Sequence, residues 1–220
     1  MNKLSKRLQT ALDWVTGDIL LDVGSDHALL CVGAILQGVV KQAIASDNKE
    51  GPYQKAQVTI AQAGLKQQIT CCLANGLEGI TKEIDTCTML GMGGLLIKEL
   101  LLAKEVRYVK QFILGPQSEQ TELRTFLMNH QFQIVDETTI EERGKFYSLM
   151  KVIHGEMSYT PIQCAYGYIN IQKQEPSWQA MIRKKINLYV EAYGKTKDIQ
   201  KQAQIQSKLT ELRSVLHERH

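Results

Sequence analysis

The segment Leu20-Leu21-Asp22-Val23-Gly24-Ser25-Asp26-His27 brings two carboxylates, an imidazole and a glycine to the end of an apolar run. Such a run reads as a buried parallel strand, and in open α/β sheets ligands bind beyond the carboxyl ends of the strands. A dinucleotide fingerprint would set three glycines as G-x-G-x-x-G, so that a pyrophosphate could lie against bare backbone. Counting from Gly24, Asp26 and Leu29 hold the other two glycine places. A carboxylate there suits a cationic ligand better than a phosphate. The Asp22-x-Gly24 pattern therefore points to S-adenosylmethionine (SAM), against the plainer alternative of a strand, turn and helix with a buried acid.

SAM makes three separate demands. Its sulfonium and amino groups are positive and suit a carboxylate and carbonyls at a tight turn, where Asp22, Gly24 and Asp26 stand. Its ribose diol suits an acid at the end of the second strand, as in the dinucleotide folds, and Asp47 holds that place. Its adenine amino group suits a side-chain oxygen at the end of the third strand, which Asn75 supplies. Each of these residues could instead cap the helix that follows it. Gly91-Met92-Gly93-Gly94 follows the fourth strand, where a flat methyl acceptor would need room against the backbone. His27 could orient a substrate or shuttle a proton, or simply pack at a helix start.

The elements that must position these residues alternate. Helical spacing over 3–15 is followed by an apolar strand at 19–21, a helix at 26–37, a strand at 39–45 and a helix from Pro52 to Ala63. Strands follow at 69–73, 86–90 and 109–114, with helices at 95–103 and 119–129. Residues 132–140 and 146–153 read as a closing hairpin around Arg143-Gly144-Lys145. Strands alternating with helices predict βαβ units, right-handed crossovers and a mostly parallel sheet. The expected fold is α/β, a Rossmann-like, seven-stranded, SAM-dependent methyltransferase sheet in residues 1–157. Residues 158–220 form a second unit, a helical, coiled-coil-like hairpin. Its stripes are Ile182, Ile186, Tyr189, Tyr193 and Ile205, Leu209, Leu212, Leu216, with Gly194 breaking the run between them.

Charge is uneven. Residues 161–220 hold ten Lys and Arg against five Asp and Glu, while residues 1–160 hold sixteen against eighteen, together giving the net +3. Positive charge gathered at one end fits a polyanionic partner or a solvated helical face. The five cysteines (Cys31, Cys71, Cys72, Cys87, Cys164) form no C-x-x-C pair and read as small apolar residues in a reducing compartment. No metal site is expected. No leader or membrane-length apolar run is evident, so a cytoplasmic protein is expected.

The motifs Asp22-Val23-Gly24-Ser25-Asp26-His27-Ala28, Ser46-Asp47-Asn48-Lys49-Glu50-Gly51-Pro52, Asn75-Gly76-Leu77 and Gly91-Met92-Gly93-Gly94 together resemble the bacterial tRNA (adenine-N1)-methyltransferases that modify position 22. Their order and spacing match over about residues 5–155, and the helical tail is similar too. The resemblance implies a SAM-dependent enzyme whose C-terminal helices help to hold tRNA. Its SAM-site positions fall on Asp22, Gly24, Ser25, Asp26, His27, Asp47, Asn48, Asn75 and Gly76, and its loop after the fourth strand falls on Gly91, Met92, Gly93 and Gly94. The chain departs where the family has Gly-Asp-Gly-Leu and this sequence has Ala74-Asn75-Gly76-Leu77. It departs again where Gln-Pro-Asn is replaced by Gly115-Pro116-Gln117.

On this reading Asp26 and His27 are the catalytic candidates, aligning adenine N1 or assisting loss of the amino proton. The cofactor is held by Asp22, Gly24, Ser25, Asp47, Asn48, Asn75, Gly76 and Gly91. Substrate meets Met92, Gly93, Gly94 and Gln117, and tRNA phosphates meet Arg183, Lys184 and Lys185. A monomer is expected, with weak pairing through the C-terminal helices as an option, and no membrane partner. The alternatives are a methyltransferase acting on a small molecule and a catalytically silent tRNA-binding protein.

Overall fold

The computed structural model describes residues 4–216. Seven strands form one sheet: β1 (Ile19–Val23), β2 (Gln42–Asp47), β3 (Ile69–Leu73), β4 (Ile84–Met92), β5 (Val109–Pro116), β6 (Phe132–Glu142) and β7 (Lys145–His154). Their order is β3-β2-β1-β4-β5-β7-β6. The first five are parallel, and β7 runs antiparallel to both β5 and β6. The expected parallel sheet closed by a hairpin is the observed one. Its order reverses beside β1, so the turns after β1 and β4 open on the crevice where a ligand can enter.

Five helices flank the sheet: α1 (Lys6–Asp13), α2 (Leu29–Leu36), α3 (Glu50–Gln62), α4 (Gly94–Leu101) and α5 (Gln120–Asn129). Neighbouring strand residues point to opposite faces, and both faces are covered. Leu20 and Ile113 pack with α1 and α2, while Leu21 and Phe112 pack with α4 and α5. This explains why the strands read as continuous apolar runs rather than alternating ones.

One predicted helix starts late. The run predicted over 26–37 begins at Leu29, because His27 (φ 67°) and Ala28 (φ 52°) adopt left-handed backbone inside a short 3₁₀ turn at Asp26–Ala28. Two successive non-glycine residues in that conformation cost roughly 1–3 kcal/mol each. The neighbouring β2 compensates in part, since the Ser46 carbonyl accepts from the N–H groups of both Gly24 (2.8 Å) and Ser25 (3.0 Å). Residue 3, the start of the first predicted helix, lies outside the described residues, as do 217–220.

Beyond β7 lie α6 (Pro161–Tyr166), α7 (Tyr168–Lys173), α8 (Pro176–Lys195) and α9 (Ile199–Val215). Two differences from the sequence reading stand out. Residues 156–175 contain two short helices, the first started by a capping box in which Thr160 and Gln163 exchange hydrogen bonds and by Pro161 in the first turn. Gly194 does not break its helix, because α8 runs on to Lys195. A glycine close to a helix end costs only about 1 kcal/mol, and the chain turns instead where Asp198 accepts from the N–H groups of Gln200 and Lys201. The predicted stripes meet over most of their length: Trp178 and Ile182 pack against Leu212, Val215 and Leu216, with Ile186 and Tyr189 alongside, whereas Tyr193 at the end of its stripe is exposed.

The helical tail is fastened to the sheet layer through a buried, ion-paired arginine. Arg124 Nε on α5 lies 2.6 Å from Glu137 Oε1 on β6, and its Nη1 donates to the Cys164 carbonyl on α6 at 2.9 Å. The two side chains are 3% and 0% exposed. Lys173 with Asp136, and Thr138 with Glu175, add polar contacts along the same seam.

Candidate functional site

Three strand ends meet at one cleft. Gly24, at φ +73°, turns the chain out of β1, and a Cβ there would stand 2.9 Å from Met92 Cε. The cleft is lined by Gly24, Asp47, Asn48, Asn75, Gly76 and Met92, with Leu96 and Leu100 of α4 closing one side. A ligand lying over Gly24 must push the Met92 methyl aside, which is a cheap move for an unbranched thioether.

Asp22 lies beneath the floor of this cleft, 7% exposed. Its neighbour across β1 and β4 is Thr88, whose hydroxyl donates to Asp22 Oδ1 at 2.6 Å. Burial raises the pKa of Asp22, and the nearby Asp47 carboxylate adds to the rise; Thr88 and the adjacent Ser25 hydroxyl oppose it. The buried Ser25 Oγ nevertheless makes no hydrogen bond of ordinary geometry. A buried carboxylate short of positive charge, beside a buried hydroxyl lacking a partner, is a site prepared for a cation with donors.

Asp47 ends β2 half-buried. One of its oxygens accepts from the Lys49 N–H at 2.9 Å, so it does part of the capping work that the plain reading assigns it. The second oxygen has no protein partner among the described residues and can take a diol. Its own carbonyl accepts from Ala74 N–H at 2.9 Å, which ties the end of β3 to the end of β2 and holds Asn75 beside it. The Asn75 side chain is exposed and makes no protein hydrogen bond among the described residues. Asp26 and His27 sit on the strained turn, 3.5 Å apart, Asp26 exposed and His27 half-buried, and neither lines the cleft.

The turn after β4 forms the other wall. A Cβ on Gly94 would lie 2.7 Å from the Ser118 carbonyl oxygen and 2.8 Å from that of Glu119, so only glycine lets α4 approach the end of β5 so closely. The Gln117 N–H donates to the Met92 carbonyl at 3.0 Å, which fixes Gln117 beside Gly91. Its side-chain nitrogen would be 3.5 Å from a Cβ on Gly91, and Nη1 of Arg7 would be 3.7 Å away.

The basic trio on α8 is not one stripe. Arg183 and Lys184 are exposed, whereas Lys185 turns inward over the Tyr166 ring, where burial and the nearby Arg124 and Lys208 depress its pKa. Consecutive helical residues are about 100° apart, so the three cannot share one face. The sequence reading also passed over Thr88, Arg7 and Tyr147. Thr88 is found only once the β1–β4 register is known, and Arg7 and Tyr147 meet from opposite ends of the first 150 residues.

A larger cavity, about 360 Å³, opens below the turn from Ala74 to Gly76 among Leu21, Ile44, Cys72, Ile80 and Ile84. It exists because β3 passes to β4 without a helix. Its lining adds Glu78, Thr81 and Lys82 but contains none of Asp47, Asn48 and Asn75, which line the cleft above Gly24.

A family model described as tRNA (adenine(22)-N(1))-methyltransferase matches residues 20–218. The chain belongs to this family. A curated Bacillus subtilis (strain 168) tRNA (adenine(22)-N(1))-methyltransferase is 35% identical over 158 residues, covering 70% of this chain and 66% of that protein. The chain thus spans just under two thirds of that curated relative. Solved structures extend the likeness further. Streptococcus pneumoniae Sp1610 in complex with S-adenosyl-L-methionine superposes with a TM-score of 0.89 at 34% identity, covering 98% of this chain and 100% of that one. The B. subtilis M1A22 tRNA methyltransferase TrmK gives 0.83 at 27% identity, covering 97% and 99%. The fold is thus shared with a structure that holds S-adenosyl-L-methionine, and the cleft above Gly24 brings Asp47, Asn48 and Asn75 to one rim. Among the described residues no helix is long and apolar enough to cross a membrane, and no cluster of His, Cys, Asp and Glu could hold a metal ion.

Proposed function

We propose that this chain methylates N1 of adenine 22 in tRNA, using SAM as donor. The observation that carries the reading is the row of Asp22, Asp47 and Asn75 on three successive parallel strand ends, opposite the glycine turn after β4. The buried Asp22 and Ser25 take the positive methionine end, Asp47 the ribose hydroxyls, and Asn75 with Asn48 the adenine. Ala74-Asn75 retains an acceptor oxygen without the charge of an aspartate. Bound there, the cofactor supplies an electrophilic methyl on a sulfonium.

The protein's own share is mainly placement. Adenine N1 has an in-plane lone pair, so alignment matters more than a strong base. Gly91 leaves room for a flat base, with Met92, Gly93 and Gln117 bordering it; the space beside Gly94 is taken by the Ser118 and Glu119 carbonyls, so that glycine serves the packing of α4 and not the substrate. Asp26 and His27, on the turn that follows β1, are the candidates to accept the amino proton that leaves when the methylated base loses its charge. N1 lies on the Watson–Crick edge, so the base must first be exposed, at a cost of a few kcal/mol. Residues 158–220 act as the tRNA-contacting unit of a cytoplasmic monomer, with residues 1–157 as the catalytic unit. Arg183 and Lys184 contribute phosphate contacts, with Lys185 nearer the seam.

The test is incubation of the full chain with labelled SAM and unmodified tRNA, followed by nucleoside analysis. The expected product is 1-methyladenosine, absent when position 22 is guanine. Label in another nucleoside, or none, overturns the proposal.

A further inference from the structure

A groove of about 500 Å³ leads away from Gln117 and Pro116, across the start of β7, to α8. Its walls include Lys145, Phe146, Tyr147 and Lys184. The tight turn at Arg143–Gly144, both with positive φ, fixes the hairpin register, with Glu141 opposite Phe146 and Ile140 opposite Tyr147. Period-two alternation then sends Phe146 and Tyr147 to opposite faces of β7. Each ring carries a cation from a different helix. Lys184 Nζ of α8 lies 5.7 Å from the Phe146 centroid, and Arg7 Cζ of α1 lies 4.9 Å from that of Tyr147.

Neither Arg7, Lys145 nor Lys184 is ion-paired among the described residues. Cations resting on rings, without carboxylates, along an open groove are complementary to a chain of phosphates and unpaired bases. The Arg7–Tyr147 pair lies at the inner end. Arg7 Nη1 stands 3.7 Å from the Cβ position of Gly91, beside Gln117. An enzyme that must lift a base out of its stack needs a flat surface to repay the lost stacking, and the half-buried Tyr147 ring presents one next to the methyl-transfer turn.

We infer that Arg7 and Tyr147 form a nucleotide clamp at the mouth of the transfer site, in which the Tyr147 ring stacks an unpaired tRNA base and Arg7 binds the adjoining phosphate. This rests on the tRNA reading above and deepens it. Tyr147 is a substrate-binding residue, and the clamp acts on RNA and not on the cofactor.

The experiment uses the full chain, unmodified tRNA transcript and SAM, comparing Tyr147→Ala, Tyr147→Leu, Tyr147→Phe and Arg7→Ala. Tyr147→Leu keeps bulk without a π face, which guards against a packing defect in the alanine variant. SAM affinity by calorimetry reports folding and the cofactor site, and is expected to stay at the wild-type value. Loss of one base–aromatic stack predicts a fall in kcat/KM for tRNA of roughly 10- to 100-fold for Ala and Leu, restored to within about threefold by Phe. Arg7→Ala should flatten the slope of log affinity against log salt by about 0.7–0.9, the share of one phosphate contact. Wild-type kcat/KM in Tyr147→Leu, equal losses in Leu and Phe, or an unchanged salt slope overturns the clamp. A wild-type chain that methylates no tRNA overturns the parent reading, and the clamp with it.

Discussion

Asp22→Asn should make the protein more stable and a poorer binder of its cofactor at the same time. The amide has the shape of the carboxylate, keeps an oxygen for the Thr88 hydroxyl, and offers its NH₂ to the unpartnered Ser25 Oγ. What disappears is a buried negative charge whose pKa burial has raised above its ordinary 3.8. Below that pH both folded and unfolded wild-type chains carry a neutral carboxyl, and the two proteins differ little. As pH rises through the raised folded pKa, the unfolded wild-type chain ionises more easily than the folded one, so the wild type loses stability that the variant keeps. The variant should therefore unfold at higher denaturant at pH 8, with the gap closing towards pH 4.

SAM reverses the order. A hydrogen bond or ion pair to a charged group contributes about 1.5–3 kcal/mol, so losing it weakens binding roughly 10- to 100-fold. At a cofactor concentration of about one hundred times the wild-type Kd, the wild type gains about 2.7 kcal/mol. A variant bound 100-fold more weakly gains only about 0.4 kcal/mol. Denaturant melts with and without SAM, followed by the fluorescence of Trp14 and Trp178 at pH 4, 6 and 8, with calorimetry for the affinity, measure every term. A variant less stable than wild type at pH 8 without SAM, or one binding SAM within threefold of wild type, refutes the reasoning.

Two further substitutions probe the scaffold. Arg124→Ala leaves Glu137 buried without its cation and the Cys164 carbonyl without its donor. It should cost about 3–5 kcal/mol, a fall in Tm on the order of 6–20 °C, and the double change Arg124→Met with Glu137→Met should recover most of it. A single-variant loss below about 1 kcal/mol would show that the pair does not fasten the helical tail. Gly94→Ala drives a methyl into the Ser118 and Glu119 carbonyls and should cost about 1–3 kcal/mol, with a larger fall in tRNA turnover than in SAM affinity. Unchanged Tm and turnover would show that the turn after β4 has slack.

The sequence by itself determined the strands, their endings and the class of ligand. The runs 19–21, 39–45 and 69–73 announce themselves as buried strands because both faces of a parallel sheet are covered, and each leads to a turn with an acid or amide, although β2 itself runs from Gln42 to Asp47. Right-handed crossovers then bring Asp22, Asp47 and Asn75 to the same edge without further information. Local signals also existed for what the reading missed. The Thr160-Pro161-x-Gln163 cap of α6 is legible in the chain, and Gly194, near a helix end, does not interrupt α8. Tertiary structure alone decided which groups touch across the fold. Thr88 meets Asp22 only through the β1–β4 register, Arg7 meets Tyr147 only when α1 lies against the closing hairpin, and Arg124 finds Glu137 and Cys164 only when the tail has docked. Short-range periodicity encodes what a residue's own segment becomes. Contacts between distant segments depend on register and packing, which no local pattern records.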